Sequence, residues 1–130
     1  ALAASQTAAV LLPASTFCLG AQPAPARALI DAGAAVALGT DANPGTSPVV
    51  SMPETITIGC RLYGLSPAEA LAASTANAAW VLGLGATHGR LVVGARADVV
   101  VIEGDGPDHL AYRPGHDPVL ATYVGGAAAT

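Results

Sequence analysis

Val36-Ala37-Leu38-Gly39-Thr40-Asp41-Ala42-Asn43-Pro44-Gly45-Thr46-Ser47-Pro48 is the stretch on which the fold turns. An apolar, β-prone run from Val36 to Leu38 stops at a polar loop that opens with Thr40 and Asp41. A buried strand fixes the backbone on which Asp41 sits, and Pro44 with Gly45 makes a stiff turn whose amides can face a ligand. Taken alone, an aspartate after a strand forms a turn or caps a helix as readily as it does chemistry. The rest of the chain has to decide.

Upstream, Thr7 to Leu12 is continuous apolar sequence ended by Pro13 and predicts a short buried strand. Pro13 to Pro25 is turn-rich, with Gly20, Pro23 and Pro25 opposing any long helix. A helix is expected from about Pro25, carrying Ala26, Leu29 and Ile30 on one face and stopping at Gly33. Val36 to Thr40 then supplies a second strand. Strand, helix, strand at this spacing is a βα unit, whose crossover joins parallel neighbours.

Downstream, Met52 or Pro53 opens a helix to about Tyr63, with Ile56, Cys60 and Tyr63 at helical spacing and Gly64 as its stop. Ser66-Pro67-Ala68-Glu69 is a start signal: Ser66 caps free amides, Pro67 suits the first turn and Glu69 completes a capping box. That helix should reach about Thr75, and Asn77 is expected to cap a second piece, Ala78 to Leu82, ended by Gly83 and Gly85. From His88 the character changes. Gly89 to Gly94 and Ala97 to Ile102 are β-rich runs about a Gly-centred turn, Pro118 to Val124 is a third candidate strand, and the tail Ala127-Ala128-Ala129 is expected to fray. The chain therefore divides at about residues 1–86, a βα part, and 87–130, a small β part.

The length, 130 residues, is that of one ordinary domain or of a piece of a larger one. Net charge is −4 and the basic residues are scattered arginines, Arg27, Arg61, Arg90, Arg96 and Arg113, so no stripe exists to track a nucleic-acid backbone. No apolar stretch is long enough to span a bilayer, and the opening residues are not expected to be a signal peptide. Cys18 and Cys60 lack metal-site spacing and are expected to be reduced, buried thiols of a cytoplasmic protein. The absence of an initiator methionine suggests a chain cut from something longer.

Three pieces in order resemble one family. Thr40-Asp41-Ala42-Asn43-Pro44-Gly45-Thr46, Ser51-Met52-Pro53, and Ser66-Pro67-Ala68-Glu69-Ala70-Leu71 followed by Thr75-Ala76-Asn77-Ala78-Ala79 are similar to the C-terminal part of the imidazolonepropionase family. Gly89-Arg90-Leu91-Val92-Val93-Gly94 with Ala97-Asp98-Val99-Val100-Val101 resembles the closing strands of metal-dependent amidohydrolases in general, and His109-Leu110-Ala111-Tyr112 with Gly115 resembles the specific family again. His116-Asp117-Pro118 departs from it. The resemblance implies an α/β fold, the last two or so βα units of a distorted (β/α)8 TIM-like barrel plus part of a small β-sandwich. Thr7 to Leu12 then falls near the seventh barrel strand and Val36 to Thr40 at the eighth.

The resemblance also implies the chemistry, hydrolysis of the cyclic amide of 4-imidazolone-5-propanoate to N-formimidoyl-L-glutamate with one divalent metal ion, zinc or iron. Asp41 matches the family's ligand aspartate and proton carrier. Asn43, Gly45 and Thr46 match positions that contact the substrate, and the family makes a homodimer the expected assembly. His88, His109 and His116 match none of the family's metal histidines and lack ligand spacing, so surface or structural roles are expected for them. The chain has no HxH strand and no candidate for the first six barrel strands, so one carboxylate is left without the usual three protein ligands. An N-terminal part of the same enzyme is the expected partner, and this chain alone should be inactive. Two alternatives stand beside this reading: another cyclic-amide hydrolase or deaminase of the superfamily, and a non-catalytic structural or interaction module.

Overall fold

A computed structural model describes residues 2–129. After a short 3-10 turn at Leu2–Ala4, the chain runs through β1 (Ala9–Leu11), α1 (Pro13–Cys18), α2 (Ala26–Asp31), β2 (Val36–Leu38), α3 (Met52–Tyr63), α4 (Pro67–Ser74) and α5 (Ala76–Val81). β3 (Val99–Ile102), α6 (Asp108–Tyr112), β4 (Val119–Val124) and β5 (Ala127–Ala128) complete it. β1 and β2 pair in parallel, Ala9 opposite Val36 and Leu11 opposite Leu38, while β3, β4 and β5 form a separate antiparallel sheet in that order.

The βα crossover arises from local chemistry. Pro25 precedes α2, Gly33 takes a left-handed φ of 81° after it, and the chain re-enters as β2, buried at every residue. α3 starts under a Ser51 cap on the Glu54 amide and ends at Gly64, whose φ of 64° is the left-handed stop that glycine reaches without penalty. α4 carries the complete capping box of Ser66 and Glu69. α3 then lies across β2 at Gly59, where an added Cβ would sit 3.3 Å from Leu38 Cδ1. Leu11, Val36, Leu38, Ile56, Tyr63, Leu65 and Leu110 close one core between strands and helices. Thr57 Oγ1 donates to the Leu110 carbonyl at 2.7 Å, which ties α6 to α3.

Several expectations are corrected. Pro13 to Cys18 forms a helix rather than a bare turn, because Pro13 sits in its first turn, where the missing N–H is not needed. Asn77 lies inside α5 instead of capping it, and its amide donates to the Val36 carbonyl at 2.8 Å, fastening α5 to β2. Leu91 to Val93 form no strand. They are exposed and pair with no strand among the described residues, and a β-prone run without a partner edge has no ladder to join. The tail does not fray through Ala128, because Gly125 and Gly126, both at positive φ, turn Ala127–Ala128 back onto β4. Cys18 is exposed and Cys60 half-buried, both as free thiols, and burial pushes the Cys60 thiol up. The outermost residues of the expected division, Ala1 and Thr130, lie outside the described residues.

One ion-pair group joins the two halves of the helical layer. Arg27 of α2 grips Glu69 of α4 through both terminal nitrogens at 2.9 Å, and its Nε donates to Asp31. The guanidinium, helped by the Ser66 amide, holds the Glu69 carboxyl down at about 2. A depressed carboxyl adds stability that is fully present above its ordinary range near 4.5 and is lost as pH falls through about 2. Denaturant midpoints measured against pH should therefore show Glu69→Gln less stable than the parent at pH 7, with the gap closing on acidification. A gap independent of pH would contradict this assignment.

The small sheet does not pack flush on the helices. A cleft of about 840 Å³ separates them, lined by Met52, Ile56, Leu71, Val99, Ile102 and Leu110 among others. No described helix is long and apolar enough to cross a membrane.

Candidate active site

The parallel pairing of β1 and β2 puts the segments leaving each strand side by side. Asp41 lies just beyond β2 and Ser15 just beyond β1, and Ser15 Oγ donates to Asp41 Oδ2 at 2.6 Å. Ser15 is 7% exposed, whereas Asp41 faces solvent. Only the Oδ2 oxygen of Asp41 is engaged among the described residues, which leaves Oδ1 free. Asp41 is also the one described non-glycine residue at positive φ, 51°. Aspartate tolerates this region better than most residues, and such conformations concentrate where a side chain has to be aimed.

The loop holds that geometry by closing on itself. Asn43 and Ser47 form a two-residue antiparallel bridge, and fully buried Ser47 donates to the Thr40 carbonyl at 2.7 Å. The Asn43 amide nitrogen donates to the Asp41 carbonyl. Asn43 Oδ1 receives the Gly45 amide at 2.9 Å, the Thr46 amide at 2.8 Å and the Thr46 hydroxyl at 3.2 Å. Gly45 is not at positive φ, and a Cβ added to it would approach Asn43 Oδ1 closely, at 3.3 Å.

Asp41, Asn43, Gly45 and Thr46 thus form one rim, with Ser15 and Ser47 as members that sequence patterns did not single out. Ser47 sits in the quoted stretch, and the signal for Ser15 is its place just past the C-terminal end of the neighbouring parallel strand. No histidine joins Asp41: among the described residues, the three-membered group of histidine, cysteine or acidic side chains close enough to share a metal ion is Glu103, His109 and His116. His116 Nε2 meets Glu103 Oε2 at 2.8 Å, and this bond holds the Glu103 carboxyl below the usual range. His88 lies 3.5 Å from Asp98, whose carboxyl is lowered first by the Gly125 amide and then by Arg96. Asp98 thereby anchors the β4–β5 turn.

A rim aspartate at the C-terminal end of a parallel strand, on a βα framework, defines a class of protein, and comparison supplies its name. Residues 2–129 match the model described as Amidohydrolase family, and the chain belongs to that family. Within it, the chain is 51% identical over 126 residues to the imidazolonepropionase of Rubrobacter xylanophilus, covering 97% of this chain and 30% of that protein. It is 49% identical over 127 residues to the imidazolonepropionase of Deinococcus radiodurans, covering 98% and 32%. The chain therefore spans about a third of the length of the curated relatives it matches. Among solved structures it superposes on an adenosine deaminase from Xanthomonas campestris with bound zinc at a TM-score of 0.82 and 26% identity, covering 92% of this chain and 31% of that one. Guanine deaminase of E. coli matches at 0.81 and 22% identity, over 99% and 35%. The fold is a small α/β arrangement shared with part of these enzymes.

Proposed function

We propose that this chain is the C-terminal part of an imidazolonepropionase, which opens the ring amide of 4-imidazolone-5-propanoate to give N-formimidoyl-L-glutamate. The observation that carries the reading is Asp41, held at left-handed φ at the mouth of β2 with one carboxylate oxygen fixed by Ser15 and the other free. Active sites of parallel barrels lie at the C-terminal ends of their strands. The specific substrate rests on identity near 50% to imidazolonepropionases, about twice that to the deaminases. On this reading β1 and β2 are the last two barrel strands, residues 1–86 belong to the barrel, and 87–130 contribute the three antiparallel strands to a small β-sandwich.

A divalent ion, zinc or iron, would supply a water of lowered pKa and polarise the carbonyl when bound. Asp41 fits one ligand position. It does not make a site alone, since at least three protein ligands are usual, and the remaining ligands belong to the preceding part of the enzyme. Ser15 keeps the Asp41 carboxylate turned, and whichever carboxylate oxygen is not on the ion would take a proton and pass it to the leaving nitrogen. The three donors of Gly45 and Thr46 that converge on Asn43 Oδ1 are also the donors a propionate carboxylate would use. Gly45 and Thr46 would then donate to that carboxylate in place of the Asn43 oxygen, and the Asn43 amide, released from them, would turn to the substrate.

The test is turnover of 4-imidazolone-5-propanoate, with adenosine and guanine as competing substrates, by the full-length product of the reading frame that carries this chain. Turnover of the imidazolone alone is expected, and turnover of a purine alone would overturn the reading. In the same assay Ser15→Ala should lower kcat by about 10-fold to 100-fold, as loss of a partner that orients a metal ligand does, with KM little changed. An unchanged kcat would remove Ser15 from the site.

A further inference from the structure

We infer that Glu103, His109 and His116 form a second binding site, for a transition-metal dication of the zinc type. One ligand atom from each lies within 4.8 Å of the others. The three come from different places: Glu103 directly after β3, His109 on α6 and His116 on the turn after α6. Each is anchored by its backbone. The Glu103 amide donates to the Pro118 carbonyl at 2.8 Å, the His109 amide to Gly106 at 3.1 Å and the His116 amide to Arg113 at 3.2 Å.

An ordinary ion pair explains His116 and Glu103 but leaves His109 unexplained. His109 Nε2 is the one buried side-chain nitrogen or oxygen without a hydrogen-bond partner among the described residues. Buried polar atoms are nearly always satisfied, and an exception calls for a missing partner. The chain also makes room for this ring. Gly104 stands at φ 102°, and a Cβ on it would run into His109 Cγ. The His109 and His116 rings meet edge to face, 6.5 Å between centroids.

Two imidazoles and one carboxylate are a donor set that holds zinc with further positions open to water. Bonds of about 2.0–2.2 Å in a tetrahedron put ligand atoms about 3.4 Å apart, so the widest pair needs to close by on the order of 1 Å while the 2.8 Å contact of His116 with Glu103 opens. The ion would stand where a proton now links His116 to Glu103, and that proton leaves to solvent or moves to the other ring nitrogen. This site is independent of the hydrolase reading, because none of its residues lies at the mouth of β1 or β2.

The test is equilibrium dialysis of the full-length product against micromolar Zn²⁺, with metal counted by elemental analysis, alongside Asp41→Ala, His116→Ala and Glu103→Gln. One equivalent is expected to survive Asp41→Ala and to be lost in His116→Ala, with Glu103→Gln weakening its binding about 100-fold, since removal even of an outer partner weakens metal sites about 10-fold to 100-fold. Glu103→Gln keeps shape and a hydrogen bond to His116, so it serves even where His116→Ala fails to fold. Zinc should also raise the thermal midpoint of Asp41→Ala but not that of Asp41→Ala combined with Glu103→Gln. Zinc uptake that is unchanged by Glu103→Gln, or that disappears with Asp41→Ala alone, overturns the site.

Discussion

Asp41→Ala in the full-length product is expected to lower kcat for imidazolone hydrolysis by at least about 1000-fold, because on the proposed reading it removes a metal ligand and a proton acceptor together. The fold should survive. Asp41 is solvent-facing, and its loop is closed by Asn43, Ser47 and Thr40, so the bond from Ser15 is the one contact among the described residues lost with the carboxylate. The left-handed φ of 51° at this position adds a control. Asp41→Gly keeps the backbone and loses the carboxylate, so it should be as inactive as Asp41→Ala but no less stable than the parent. A Gly variant that retained activity would mean that Asp41 matters only for the shape of the turn.

The largest stability effect is expected at Gly89, in the loop that leads toward the small sheet. A Cβ there would lie 2.6 Å from the Thr75 carbonyl oxygen and 2.9 Å from Ala76 Cα, both backbone, and φ is 77°. Neither neighbour is a side-chain end that can swing away. Strain at the backbone and the clash should together destabilise Gly89→Ala by about 3 kcal/mol. Gly94 is the matched comparison, with φ of 88° and nothing within 4 Å of the added atom, so Gly94→Ala should lose about 1 kcal/mol. Denaturant unfolding of the two variants separates close approach from φ alone. Equal losses would show that the Gly89 loop does not rest on the junction of α4 and α5.

These two sites also mark what a one-dimensional reading reaches. Ser66, Glu69 and Gly64 act on amides and carbonyls within a few residues of themselves, so the ends of α3 and α4 are visible as sequence. Asp41 is visible for a similar reason, as a polar residue that directly ends an apolar strand. Asn77 has the chemistry of a cap, but it bonds the Val36 carbonyl of β2, and no local pattern announces a partner so far back along the chain. Leu91 to Val93 have strand composition and lack an edge to pair with, which composition does not record. The Ala127–Ala128 pairing is different: the signal is present in Gly125-Gly126, a doublet suited to a two-residue hairpin turn, and alanine's weak β-preference obscures it. His109 and His116 lie outside any metal spacing, and it is α6 and the turn after it that fold them onto Glu103. Ser15 is hidden in the same way, because its place beside Asp41 depends on the parallel register of β1 and β2.

Whether Asp41 binds the catalytic metal of an imidazolonepropionase is decided by crystals of the full-length product and anomalous scattering recorded at the zinc and iron edges. A peak is expected at one of those edges within about 2.0–2.2 Å of an Asp41 carboxylate oxygen, with histidines from the preceding part of the enzyme completing the ion's ligands. A catalytic ion bound wholly by other residues, with Asp41 still bonded only to Ser15, would contradict that expectation.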